Sequence, residues 1–191
     1  MIGAALLLGD KNTQVSDQTD HPDEHHEGQS VYEDKFNALL GQVAPDFELY
    51  SYDGEKIRLQ DQKGKKVVLF FTEGVMCYPS CWNQIAAFGN DEAFQKEDTA
   101  VFSIVVDTKN EWKRAVDKMP ELAQTAILLD VSKEISKEYG VLSLPSSMHK
   151  GQFPGHTYLV LDKEGVIRFI KDDPQMAVRN DVLKTELEKL N

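Results

Sequence analysis

Cys77 and Cys81 are the two cysteines of this 191-residue chain, and three residues separate them. Both lie in FFTEGVMCYPSCWNQ, residues 70–84. A nucleophilic thiol with a second thiol in reach can attack a disulfide, form a mixed disulfide and be resolved by its neighbour. The same two thiolates could ligate a metal. Plain burial is the third option, since free cysteine packs as a small hydrophobe. Burial accounts for the residue type. It does not account for both cysteines falling in one loop with none elsewhere.

The flanking residues must position that loop. KKVVLFFT (65–72) is a continuous apolar run of strand length, as in a strand buried on both faces. PSCWNQIAAFGNDEAFQ (79–95) has helical spacing, with Trp82, Ile85, Ala86 and Phe88 toward the core. A strand that runs through a loop into a helix sets the loop at the carboxyl end of a sheet, where open α/β folds keep their sites. Pro79 suits a first helical turn. Cys77 then falls at or just before the helix N-terminus, where free amides and the helix dipole favour a thiolate. Four residues rise about 6 Å along a helix, and bridged cysteines have Cα atoms about 4.4–6.8 Å apart. The pair can close.

The rest of the chain supplies a sheet. VYEDKFNALLGQ (31–42) has a short helical pattern through Phe36, Leu39 and Leu40, closed by Gly41. APDFELYSYDGEKIRL (44–59) predicts a hairpin about Asp53-Gly54. AVFSIVVD (100–107) and TAILLD (125–130) are further buried strands. Between them NEWKRAVDKM (110–119) predicts a helix capped by Asn110. SKEISKEYGV (132–141) predicts a helix ended by Gly140. HTYLVLD and VIRFIK, joined by KEG, form a late hairpin, and NDVLKTELEKL (180–190) an amphipathic helix with Leu183, Leu187 and Leu190 on one stripe. Strands alternating with helices imply an α/β fold with parallel crossovers and an antiparallel hairpin at one end.

These segments resemble the thioredoxin-like superfamily, in the branch that joins peroxiredoxins of the alkyl hydroperoxide reductase/thiol-specific antioxidant family to extracytoplasmic thiol–disulfide oxidoreductases. GQVAPDFEL (41–49), VVLFFTEGVMCYPSCWNQ (67–84), SKEYGV (136–141) and GHTYLVLDKEGVIR (155–168) carry the resemblance over about residues 41–170. It implies a thioredoxin-like fold, a central mixed sheet flanked by helices, with an N-terminal β-hairpin extension. Cys77 would attack and Cys81 resolve, with His156 beside them. Pro154 would be the cis-proline bordering the site, and Trp82 and Thr72 would also border it. The redox-active disulfide would need no cofactor. Partners would be protein thiols or disulfides, or a thiol reductant.

Several positions depart from the pattern. Thioredoxins carry two residues between their cysteines. Peroxiredoxins place a Thr or Ser three residues before the attacking cysteine, where this chain has Gly74, and Thr72 is five before. They place an arginine six residues before the Asp that ends the late strand. Counting back from Asp162 gives His156. The three-residue spacing and a later histidine also resemble copper chaperones of cytochrome oxidase assembly. Under that alternative Cys77, Cys81 and His156 would be metal ligands, a donor set suited to copper.

Residues 10–30 are polar and acidic and read as a flexible tail, with His21, His25 and His26 able to hold a metal weakly. MIGAALLLG (1–9) is apolar but far shorter than the about 20 residues of a membrane span. It suggests the remnant of a signal or anchor. Residues 1–30 thus form a tail and 31–191 a redox domain. The expected setting is extracytoplasmic, secreted or membrane-tethered, or cytoplasmic if the N-terminus is native. A net charge of −11 excludes nucleic acid, which needs a basic footprint.

Overall fold

A computed structural model gives the fold, and it describes residues 33–190 together with Met1. The tail and its three histidines lie outside the described residues. A helical turn, α1 (residues 33–37), leads to an antiparallel hairpin, β1 (Glu48–Tyr50) and β2 (Lys56–Arg58). Then follow β3 (Lys66–Thr72), α2 (Ser80–Gly89), β4 (Thr99–Val105), α3 (Lys109–Lys118), β5 (Ala126–Leu129) and α4 (Glu134–Glu138). The chain closes with β6 (Thr157–Leu161), β7 (Ile167–Asp172) and α5 (Asn180–Glu188).

Five strands form one sheet in the order β5-β4-β3-β6-β7. β3 pairs parallel with β4, and β4 with β5. β6 runs antiparallel to β3 and to β7. The mixed sheet and the N-terminal hairpin bear out the architecture expected from the sequence. The hairpin also guards an edge: Ser51 bridges to Leu128, and Tyr52 N–H donates to the Ile127 carbonyl at 2.8 Å. Exposed strand edges otherwise invite pairing with other chains.

β3 is central, and every residue in it is buried. Its side chains alternate between two cores, as the period of two dictates. Val68 and Phe70 face Trp82, Ile85 and Phe88 of α2, Trp112 of α3 and Leu183 and Leu187 of α5. Val67, Leu69 and Phe71 face Phe36, Phe47 and Tyr139. Burying one such side chain contributes about 1.5–3 kcal/mol. Phe70 carries more than bulk, because its ring stacks on Tyr158 at 4.8 Å and meets His156 edge-on at 4.7 Å. Phe70→Ala would cost about 3–5 kcal/mol and loosen both neighbours.

Two expected helix boundaries move. The cap of α3 is Thr108, not Asn110. Its hydroxyl accepts from Glu111 N–H, and the Glu111 carboxylate accepts from Thr108 N–H at 2.8 Å. That reciprocal pair satisfies two free amides, whereas Asn110 would satisfy one at most. The helix after the cysteines stops at Gly89 and resumes as a separate 3₁₀ turn, Glu92–Phe94, capped by Asp91. Among the described residues no helix is long and apolar enough to cross a membrane.

Candidate active site

The end of β3 opens into a 3₁₀ turn, Gly74–Met76, followed by Cys77. Cys77 N–H donates to the Gly74 carbonyl at 3.2 Å, and the Cys77 carbonyl accepts from Cys81 N–H at 3.0 Å. Cys77 therefore sits one turn ahead of α2, which begins at Ser80. This is farther from the helix than the sequence suggested. Cys81 is in the first turn of α2. The two sulfurs are bonded at 2.03 Å, with Cα atoms 5.3 Å apart. The disulfide is nearly sealed: Cys77 retains 3% exposure and Cys81 none.

His156 stands just ahead of β6, which pairs with β3, and this registry carries it to the cysteines. Its Nδ1 lies 3.4 Å from Cys81 Sγ. The sequence set this histidine beside the pair, and the structure brings it to Cys81. The Ala177 carbonyl, 3.2 Å from Nε2, can only accept, so Nε2 carries the ring proton. Tyr158 Oη, 2.6 Å from Nε2, shares that proton and passes its own to Gln84 Oε1 at 2.8 Å. Gln84 Oε1 also accepts from Arg179 N–H at 2.7 Å, while Gln84 Nε2 donates to Asn180 Oδ1 at 2.9 Å. Nδ1 is thereby left with a lone pair aimed at sulfur. Burial pushes the His156 pKa down to about 4, so the ring is neutral at physiological pH. Burial likewise drives the Tyr158 phenol far above its ordinary range. Neither Tyr158 nor Gln84 stood out in the sequence. An aromatic inside a strand and a glutamine inside a helix look like packing and surface.

The other expected residues take different places. Trp82 shares the core with both cysteines and donates Nε1–H to the Gly74 carbonyl at 3.3 Å. Thr72 is buried, and its hydroxyl oxygen accepts from Gly74 N–H at 3.3 Å. The cis peptide bond among the described residues joins Tyr78 to Pro79, so Pro154 is not the cis-proline. Pro154 is buried two residues before His156. Glu73 points away from the sulfurs. Its fully buried carboxylate accepts from Met148 N–H at 2.6 Å and lies 3.1 Å from His149 Nδ1, tying the 146–149 loop to the cysteine turn. Ser146 of that loop accepts from His156 N–H at 2.7 Å.

The matched family is AhpC/TSA, over residues 40–170. The chain belongs to this family. It is 37% identical over 131 residues to the chloroplastic peroxiredoxin Q of Triticum aestivum, covering 68% of this chain and 57% of that one. With the peroxiredoxin Bcp of Escherichia coli K12 it shares 28% over 151 residues, 78% of this chain and 95% of that protein. The chain thus spans somewhat over half the length of its plant relatives. Peroxidoxin BcpB of Mycobacterium tuberculosis superposes with a TM-score of 0.65 at 20% identity, covering 80% of this chain and 97% of that one. A peroxiredoxin-like protein of Aquifex aeolicus gives 0.66 at 18%, covering 80% and 87%. At these identities the structures establish the fold.

Within the AhpC/TSA family, Gly74 has a local explanation. Its φ is +67°, and a Cβ there would lie 1.8 Å from Asp107 Oδ2. A Thr or Ser cannot occupy that position unless Asp107 moves. The remaining arrangement is a dithiol pair with a proton acceptor on one sulfur. Beside it a groove of about 760 Å³ is lined by Val75, Tyr78 and Trp82 of the cysteine segment and by Arg114 and Met119.

Proposed function

We propose that this protein is a thiol–disulfide oxidoreductase that cycles the Cys77–Cys81 pair, with His156 serving Cys81. The observation that carries the reading is the closed disulfide with a lone-pair nitrogen 3.4 Å from one sulfur. In the reduced protein the Cys77 thiolate attacks a substrate disulfide. A Cys77–substrate bond forms, and one substrate sulfur leaves as a thiolate. Cys81 S–H then gives its proton to His156 Nδ1 while its sulfur attacks Cys77. The Cys77–Cys81 bond forms, and the second substrate thiolate leaves. That thiolate takes up a proton, and His156 releases its own to solvent. Two substrate sulfurs are reduced and the pair is oxidised. Run backward, a thiol reductant attacks Cys77, the less covered sulfur, and Cys81 leaves.

The groove beside Tyr78 gives a protein partner a place to lie. Tyr78 is 69% exposed and meets Trp82 edge-on at 5.0 Å, and exposed aromatic side chains are enriched at interfaces. An extracytoplasmic setting belongs to the same proposal, and cell fractionation of the full chain tests it.

The peroxiredoxin names of the relatives support a second reading, with a hydroperoxide as oxidant of Cys77. There the Cys77 thiolate takes the terminal oxygen, alkoxide leaves, and Cys81 displaces water from the sulfenic acid. A third reading rests on geometry. Ligand atoms of Cys77, Cys81 and His156 lie within 4.8 Å of one another. Two thiolates and an imidazole whose far nitrogen is already anchored fit Cu(I) once the pair is reduced.

A redox titration of the purified protein with and without Cu(I) separates these readings. Disulfide cycling predicts a two-electron midpoint that modest copper leaves in place. Copper binding that survives competition by a Cu(I) chelator, and collapses in His156→Ala, would replace the oxidoreductase reading.

A further inference from the structure

Asp107 follows β4 at the carboxyl end of the sheet, and its side chain is buried. Its hydrogen bonds are to backbone N–H groups, and no cationic side chain among the described residues acts on it. The charged side chain of α3 that acts on it is Glu111, which has the same sign. Its Oδ2 accepts from Val75 N–H at 3.0 Å. The carboxylate also covers the Cα of Gly74 so closely that a Cβ there would meet both Oδ2 and Cγ. These two residues belong to the single 3₁₀ turn that ends at Cys77. The carbonyl of Gly74 in turn accepts from Cys77 N–H and from Trp82 Nε1–H, the first holding Cys77 and the second the helix behind it.

From this geometry we infer that Asp107 is a positioning residue for Cys77: its carboxylate clamps the Gly74–Met76 turn and so sets where the attacking sulfur stands. Burying a carboxylate without a cation costs stability. That cost is understandable if the carboxylate fixes something the reaction needs. Glycine at 74 is then the other half of the same device. It supplies the left-handed backbone, and it leaves room for the carboxylate above it. Displacing reacting atoms by about 1 Å can slow a reaction about a hundredfold, so a clamp on the turn that precedes Cys77 has ample leverage. Asp107 touches the turn, not the sulfur. Its effect should therefore follow its ability to accept a hydrogen bond and not its charge.

The inference rests on the proposed dithiol cycle, and the experiment separates the two. Wild type, Asp107→Asn and Asp107→Ala are equilibrated in dithiothreitol buffers to obtain the midpoint potential of the cysteine pair. In the reduced state, the partition of a limiting alkylating reagent between Cys77 and Cys81 is read by peptide mapping. Asn keeps an oxygen that can accept from Val75 N–H, and Ala does not. The expected result is an Ala variant whose potential is displaced and whose Cys77 reacts about tenfold or more slowly, with Asn restoring both to near wild type. Near-ultraviolet dichroism confirms that each variant is folded. Should the Ala variant not fold, Asp107→Ser, too short to reach Val75, takes its place. An Ala or Ser variant with wild-type potential and partition overturns the clamp. So does an Asn variant as impaired as Ala, which would mean that charge is what matters. A wild-type pair that does not cycle at all instead overturns the proposed function.

Discussion

His156 Nδ1 addresses Cys81 and not Cys77. This divides the work between the two sulfurs. Cys77 keeps the little exposure the pair has, 3%, and Cys81 is the one beside the imidazole. The attacking sulfur must be accessible, and the resolving sulfur must lose its proton inside a closed site. In the proposed cycle, the sulfur that attacks is the less covered one and the sulfur that resolves is the one beside His156.

The first prediction separates those steps. A chromogenic aromatic disulfide releases one equivalent of thiolate when Cys77 attacks and a second when Cys81 resolves. His156→Ala should leave the first phase close to wild type and slow the second about a hundredfold, the usual contribution of a positioned base. A mutant slowed equally in both phases would mean that His156 also serves Cys77.

Tyr158→Phe tests the orientation of the ring. It removes the oxygen 2.6 Å from Nε2 but leaves the Ala177 carbonyl. The second phase should slow by a smaller factor than in His156→Ala, and its pH dependence should shift. Identical traces for Tyr158→Phe and wild type would leave the tyrosine with packing alone.

Cys81→Ser should stop after one equivalent and accumulate a mixed disulfide on Cys77, visible by mass spectrometry. Cys77→Ser should accumulate little, because Cys81 has no exposed surface. A stable adduct on Cys81 would reverse the order of attack.

Much of this was legible in the sequence, and the missing parts share a cause. The fold was legible because β3 is a seven-residue apolar run buried on both faces, a local signal. The cysteine loop was legible because residue type and position coincide. What was not legible depends on registry between distant strands. Whether His156 reaches Cys77 or Cys81 is settled by how β6 pairs with β3. Tyr158 and Gln84 acquire meaning only when the fold brings together two residues 74 apart in sequence. Asp107 reads as the end of a strand until the turn carrying Gly74 folds over it. Pro154 had the right residue type, but a cis bond is a property of local packing that residue type does not report.

Asp107 should leave a signature in stability against pH. Burial, with a smaller contribution from Glu111, raises its pKa from the ordinary 3.8 to about 6 in the folded protein, despite the Val75 hydrogen bond. Between about pH 4 and 6 the folded state holds a proton that the unfolded state has released. Stability therefore falls as pH rises through that window, by up to about 3 kcal/mol, and stays lower above it. Asp107→Asn removes this dependence. It should match wild type near pH 4 and exceed it at pH 7 to 8. Urea unfolding at pH 4, 6 and 8 gives the comparison. A difference that is constant across pH would show that the carboxylate titrates normally.

The last prediction concerns peroxide. The relatives named above are peroxiredoxins, yet a fast reaction needs donors aimed at the peroxide oxygens as the O–O bond breaks. The hydroxyl expected three residues before Cys77 is absent, because Asp107 occupies the space above Gly74. The Thr72 hydroxyl lies five residues before Cys77 instead of three, and its oxygen accepts from Gly74 N–H. The position expected to carry an arginine is His156, whose Nε2 proton is shared between Ala177 and Tyr158 and whose Nδ1 has none to give. A neutral ring with its lone pair toward sulfur cannot stabilise a developing alkoxide. Reduced protein mixed with hydrogen peroxide in a stopped-flow instrument should thus lose its Cys77 thiolate at about the rate of an ordinary low-pKa thiol. Exchange with a disulfide substrate should be faster. A peroxide rate orders of magnitude above that of a simple thiol would mean that the turn rearranges on reduction to supply the missing donors, and would make hydroperoxide the oxidant.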